Sequence, residues 1–138
     1  MEKPDLWALF DHLPAPTYYK GRLCLVGDSA HASTPHQGAG AGQAIEDAFI
    51  LSSLLAEPDA PKKIDLIFKA YDAVRRPRSQ MVVTTSSEVS KIYEFENEKL
   101  GFDLLKAKEA LTGWYDWIWE EDLQAQLEKA QRPTVACN

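Results

Sequence analysis

Between Gly27 and Ala48 the chain reads GDSAHASTPHQGAGAGQAIEDA. An aspartate, a serine and two histidines lead into glycines at positions 38, 40 and 42. Four kinds of chemistry use such residues. Gly27-Asp28-Ser29-Ala30-His31 fills the first three positions of a nucleophile elbow, which turns a serine outward at the end of a strand. However, His31 stands where that motif has its second glycine, and no histidine follows His36 to act as a downstream base. Asp28, His31 and His36 are three residues of metal-ligand type, but their spacing matches no familiar ligand pattern, and Cys-x-x-Cys and His-Glu-x-x-His are absent. The glycines could equally serve close packing of a helix on a strand, with no ligand at all. In the fourth reading a helix starts at the glycines and offers its unpaired N–H groups and partial positive charge to a cofactor.

That fourth arrangement is not a dinucleotide fingerprint. A G-x-G-x-x-G should follow its strand directly, whereas eleven residues separate Val26 from Gly38. The helix end is therefore offered to a cofactor whose main binding region lies elsewhere. Asp28 is by chemistry an acceptor for hydroxyl groups. It would repel a phosphate and suit a sugar-like chain.

The elements that must position these residues follow from the surrounding pattern. Residues 1–20 read as an extended approach with prolines at 4, 14 and 16. Arg22–Val26 is a short apolar run bounded by glycines, which predicts a buried strand. One strand is not a sheet, so its neighbours are expected from outside it. Residues 28–37 read as a loop. A helix is expected from Gly38, with Ala44, Ile45, Ala48, Phe49, Ser52 and Leu55 on its inward face and Pro58 and Pro61 ending it.

A second helix carries Ile64, Ile67, Phe68, Tyr71 and Val74 at helical spacing. Pro77 is expected to kink or break it, within Arg75-Arg76-Pro77-Arg78. The helical pattern resumes from Met81 to Phe95, and a third stretch spans Leu104 to Ala130 with an interruption at Gly113. The arginine cluster reads as a solvated or salt-bridged face, and Asp47 as a surface or capping carboxylate. Trp114 and Trp117 share a face from which Trp119 is turned away, a core or partner-facing surface rather than a substrate cage.

The 138 residues suffice for one modest core, and 45% hydrophobic with 26% charged residues reads as a soluble globular chain. A net charge of −6 argues against nucleic acid or an anionic membrane surface as partner. No apolar run is long enough to span a bilayer, and no signal-type segment follows Met1. Cys24 and Cys137 do not make a disulfide framework and suit a reducing, cytoplasmic setting.

The Gly27–Ala48 stretch resembles the second FAD-binding motif of the single-component FAD-dependent aromatic hydroxylases, the group of para-hydroxybenzoate and salicylate hydroxylases. That motif runs roughly G-D-A-A-H-x-x-x-P-x-x-G-x-G-x-x-x-x-x-E-D-A. Gly27-Asp28-Ser29-Ala30-His31, Pro35, Gly38, Gly40 and Glu46-Asp47-Ala48 match it, with serine for the usual alanine at position 29. The lead-in WALFDHLPAPTYYKGRLCLVGDSAH and YDWIWEEDLQAQLEKA resemble the fungal, salicylate hydroxylase-like branch, and the Arg75–Arg78 cluster resembles the family's basic cluster on the next helix.

The resemblance implies an α/β fold class: a fragment of an FAD/NAD(P)-binding, Rossmann-like flavoprotein. One short strand, a flavin-facing loop and a helix would be followed by a mainly helical C-terminal region. Residues 1–57 would be the C-terminal part of the FAD-binding domain and residues 58–138 a helical region. It implies FAD as cofactor, NAD(P)H as co-substrate, O2 and a small aromatic substrate. Asp28 would bond the ribityl chain, and Pro35 and His36 would border the isoalloxazine ring. Gly38, Ala39 and Gly40 would point backbone N–H groups at its pyrimidine edge. No catalytic residue and no metal ligand is assigned. The family's N-terminal G-x-G-x-x-G lobe and its substrate lobe have no counterpart here. A complementary lobe or chain is therefore an expected partner, and this chain alone is expected to be inactive. The alternative is a truncated paralogue serving as a non-catalytic binding module.

Overall fold

The computed structural model describes residue 3 and residues 5–135; Pro4 and Cys137, both read above, lie outside the described residues. Two short strands, β1 (Tyr19–Lys20) and β2 (Leu23–Cys24), form an antiparallel hairpin with Tyr19 opposite Cys24 and Lys20 opposite Leu23. Helices follow: α1 (Asp28–His31), α2 (Gly40–Leu55), α3 (Ile64–Tyr93), α4 (Leu104–Leu111), α5 (Asp116–Trp119) and α6 (Leu123–Val135). Short 3-10 turns lie at Pro35–Gln37 and Ala60–Lys62.

Packing of α2, α3 and α6 makes the core. Tyr18, Ile50, Leu54, Ile67, Tyr71 and Leu127 are buried there. A smaller cluster joins Ala39, at the start of α2, to Val82 of α3 and Ile118 of α5, with Tyr115 and Trp117 against it. On α3 the apolar positions behave as their spacing predicts: Ile67, Phe68, Tyr71 and Val74 are all buried.

Four expectations are corrected. The apolar run Arg22–Val26 forms a strand of only two residues, and Leu23 is 76% exposed rather than buried. Its one hydrogen-bonded neighbour among the described residues is β1, so each of the two strands keeps one open edge. The segment 28–37 is not a plain loop, since α1 and a 3-10 turn occupy it.

The inward stripe of α2 is Gln43, Asp47, Ile50 and Leu54, whereas Ile45 is 70% exposed and Phe49 and Leu55 are also exposed. The helix is rotated from the apolar-face expectation because α3 meets its polar residues with an arginine, as described below.

Pro77 neither breaks nor ends α3, which runs through it from Ile64 to Tyr93. An interior proline costs about 3 kcal/mol by removing one hydrogen bond and crowding the preceding turn. Arg75 and Arg78 flank it, and their side-chain bonds to α2 and to the α5 carbonyls hold the helix on both sides of the lesion.

The third helical stretch is interrupted near Gly113, whose φ of 73 suits glycine, and again between α5 and α6. Asp103 starts α4 by accepting from the N–H groups of Leu105 and Lys106 at 3.1 Å. Asp122 accepts from Ala125 N–H at 2.9 Å in the first turn of α6. Trp119 is exposed while Trp114 and Trp117 are half-buried, the division their spacing predicts. Among the described residues no helix is long and apolar enough to cross a membrane.

Candidate functional site

The chain leaves β2 through a turn that only glycine fits well. Gly27 has φ 60 and ψ −140, and a Cβ there would stand 3.3 Å from Cβ of Ala44 on α2. The carbonyl of Gly27 accepts from Ala30 and His31 N–H, closing the single helical turn of α1. Asp28 is the first residue of that turn. Its side chain is exposed, and its carboxylate has no hydrogen-bond partner among the described residues. The Ser29 hydroxyl donates to the Val26 carbonyl at 2.8 Å and accepts from Val26 N–H at 3.2 Å. It fastens the turn and has no base beside it, so the elbow reading loses its nucleophile.

Pro35 and His36 lie in the 3-10 turn, which Gly38 ends in the left-handed region at φ 63. Ala39 is buried and directly precedes α2, and Gly40 is the first residue of that helix. The N–H groups of Ala39, Gly40, Ala41 and Gly42 have no acceptor among the described residues. The first bond into the helix runs from Gln43 N–H to the Ala39 carbonyl at 3.0 Å. No side chain caps this end, and a Cβ at Gly38 or Gly42 would meet nothing within 4 Å. The helix therefore presents free donors and the positive end of its dipole to open space.

The far half of α3 holds this loop. Ser86 donates to the Thr34 carbonyl at 2.6 Å, and the Thr34 and Ser86 hydroxyls are 3.0 Å apart. Thr85 and the Gln37 amide meet at 3.2 Å, and Nε2 of His36 lies 3.4 Å from Glu94. His36 Nδ1 and Gln37 Nε2 are buried without a hydrogen-bond partner. His31 and His36 thus face different carboxylates. Among the described residues no group of three or more His, Cys, Asp or Glu could hold a metal.

Behind the loop lies a buried ionic network that sequence reasoning missed. Asp47, expected at the surface, is fully buried. Its Oδ2 accepts from Gly27 N–H at 3.0 Å and from Nε2 of His31 at 2.6 Å, and its Oδ1 accepts from Nε of Arg75 at 2.7 Å. Arg75 is buried as completely. Its Nη1 donates to Glu46 at 2.6 Å and to Gln126 of α6 at 2.9 Å, and its Nη2 donates to the carbonyl and side chain of Gln43. All five guanidinium N–H donors are engaged.

Arg78 forks onto Glu46 through Nε at 2.7 Å and Nη2 at 2.8 Å. It also donates to the carbonyls of Trp117 and Ile118 and stacks 5.6 Å above the Trp117 ring. The salt-bridged reading of the cluster holds for all three arginines, since Arg76 pairs with Asp72 at 3.0 Å. The solvated reading fails for Arg75 and Arg78.

Two carboxylates and two guanidiniums balance in charge, which is what makes their burial tolerable. Burial alone would raise the Asp47 carboxyl above its ordinary range. The bonds from His31, Arg75 and Gly27 outweigh it and hold the group below that range. Glu46 is likewise lowered against its burial, by Arg78 and Arg75. A sequence signal existed: Asp47 lies on one helical stripe with Gln43, Ile50 and Leu54, and Glu46 adjoins it. The two cations lie three residues apart on the next helix.

Comparison with known proteins adds an independent line. The pattern of the FAD binding domain family matches residues 10–86. A salicylate hydroxylase from Pseudomonas putida is 43% identical over 129 residues, covering 93% of this chain and 30% of that protein. The 6-methylsalicylate 1-monooxygenase of Aspergillus terreus is 42% identical over 130 residues, covering 94% of this chain and 29% of that protein. In space, the chain superposes on the structure of a salicylate hydroxylase substrate complex with a TM-score of 0.85 at 44% identity. The match covers 90% of this chain and 30% of that one. The chain thus spans about 30% of the length of the curated relatives it matches.

Proposed function

Since this chain belongs to the FAD binding domain family, we propose that it is the flavin-facing segment of an FAD-dependent monooxygenase that hydroxylates a small aromatic molecule. The observation that carries this reading is one pairing of features. The start of α2 has free N–H donors, no cap and open space at Gly38 and Gly42, and the Asp28 carboxylate is exposed and unpartnered. Such a donor set fits a flavin. The carboxylate suits ribityl hydroxyls, and the helix end suits the electron-rich pyrimidine edge of the ring.

In this reading Asp28 accepts hydrogen bonds from the ribityl chain. Ala39 and Gly40 direct backbone N–H groups at the ring edge, where a positive helix end stabilises negative charge on the flavin. The Gly38 N–H, expected to join them, is instead taken by the Pro35 carbonyl at 3.0 Å. Pro35 and His36 border the ring. Bound FAD would supply hydride acceptance from NAD(P)H and activation of O2, and the protein orients it.

No side chain described here takes the role of a general base. Residues 1–57 would carry the flavin face, a part of a Rossmann-like domain, and residues 58–138 would buttress it. Hydroxylation itself is assigned to the assembly with a complementary lobe carrying a G-x-G-x-x-G, in the cytoplasm, and not to this chain alone. The relatives named above act on salicylate or 6-methylsalicylate by name, so a small hydroxybenzoate is the substrate class to try first.

Titration of the purified chain with FAD, followed by flavin fluorescence, tests the reading. Saturable binding that Asp28→Ala weakens supports it. Binding that is indifferent to Asp28→Ala overturns the assignment of the half-site to these residues, whereas absent binding assigns flavin capture to the assembly with the complementary lobe.

A further inference from the structure

The two recognition elements of the proposed flavin site, the Asp28 carboxylate and the N–H groups opening α2, belong to different pieces of backbone. Their relative placement must be fixed by something. Asp28 sits between Gly27 and His31, the two residues whose polar groups reach Asp47 Oδ2, at 3.0 Å and 2.6 Å. Asp47 is itself part of α2, two turns beyond the open end. The other oxygen of Asp47 is taken by Arg75, which also grips the first turn of α2 through the carbonyl and side chain of Gln43. Gln126 closes the cluster from α6.

We infer that Asp47 is a positioning residue for Asp28: it holds both ends of the Asp28–His31 turn against α2, and Arg75 holds Asp47 in that position. One carboxylate thereby references the ribityl-binding group and the ring-binding helix end to the same helix. The chemistry of the position is exacting. Gly27 N–H, ionised Asp47 and the His31 Nε2–H make a donor–acceptor–donor arrangement. An asparagine that keeps its oxygen on Arg75 must turn its NH2 toward Gly27 N–H, donor against donor. Asp47→Asn therefore releases the turn while leaving the helix side of the network its acceptor.

The inference rests on the flavin reading, and the test separates the two. The 138-residue chain is prepared as wild type, Asp28→Asn, Asp47→Asn, His31→Gln and His31→Phe, with Leu54→Ala as a destabilised control from the core. FAD affinity, stability to urea and hydrogen exchange at Gly27 N–H are measured for each.

Asp47→Asn is expected to weaken FAD binding about tenfold, the order seen when a supporting residue behind a ligand site is lost. It is also expected to speed exchange at Gly27. Leu54→Ala is expected to lower stability with FAD affinity unchanged, an outcome that a merely structural role for Asp47 would not separate. His31→Gln, which keeps an N–H donor, is expected to retain more affinity than His31→Phe. This pair carries the test if Asp47→Asn does not fold.

Folded Asp47→Asn with wild-type FAD affinity, in a chain where Asp28→Asn weakens binding, overturns the inference. If the wild-type chain binds no FAD on its own, Gly27 exchange decides the inference, and an unchanged rate in Asp47→Asn overturns it.

Discussion

Asp47 and Arg75 meet at 2.7 Å, and neither side chain is exposed to solvent. Truncating one member of such a pair leaves the other charged, buried and unpaired. Arg75→Ala is accordingly expected to cost about 3–5 kcal/mol or to prevent folding. Arg75→Lys should recover little, because an ammonium cannot reach acceptors on Gln43, Glu46, Asp47 and Gln126 at once. Urea denaturation followed by far-UV circular dichroism measures both; a loss below about 1 kcal/mol for Arg75→Ala would contradict the network as described.

The same carboxylates set the response to acid. Glu46 and Asp47 have folded pKa values below their ordinary ones. The stability they supply is complete above the unfolded-state value near 4 and is lost as pH falls through the lower folded values. Stability to urea is therefore expected to be level in this respect above about pH 5 and to fall below about pH 4. The Glu46→Gln variant should be weaker at neutral pH but show a shallower acid decline. An equally steep decline in that variant would place the acid-sensitive group elsewhere.

Two glycines of the motif should respond differently to alanine. At Gly27 the backbone lies where side chains are rarely tolerated, and a Cβ would press on Ala44 at 3.3 Å. Gly27→Ala is expected to cost about 1–3 kcal/mol. Gly38 is left-handed with nothing near its missing Cβ, so Gly38→Ala should cost about 1–2 kcal/mol from conformation alone. Thermal melts of the two variants rank them, and the reverse order would refute the crowding argument.

An acidic residue at the open helix end should separate stability from binding. Gly40→Asp places a negative charge in the first turn of α2, where the helix dipole favours it by about 0.3–1 kcal/mol. If that end faces an electron-rich flavin edge, the same charge should abolish FAD binding. A variant that melts higher and still binds FAD as the wild type does would remove the helix end from the site.

How far the sequence could be read depended on which kind of residue was buried. Ile67, Phe68, Tyr71 and Val74 are apolar at helical spacing and point inward together, so α3 was legible. The start of α2 was placed within two residues because glycine and proline mark it on both sides. Gly27, Asp28 and the later glycines were legible as a motif through their fixed spacing. The orientation of α2 was not. Its buried stripe begins with Gln43 and Asp47, and their burial makes sense only once Arg75, 28 residues beyond Asp47, is known to meet them. The continuity of α3 through Pro77 was hidden for the same reason: the side-chain bonds that offset it are long-range.

Arg75 draws its partners from residues 43 to 126. Synthesis completes the Gly27–Ala48 motif before it reaches Arg75, and the Gln126 acceptor for this arginine follows some fifty residues after the arginine itself. Until then the guanidinium cannot leave water without an unmatched donor. The Gly27–Ala48 loop is thus built before it is set, because the side chain that completes its support lies downstream of it. A ribosome-bound nascent chain that stops before α6 should carry the complete motif with its turn still unfastened.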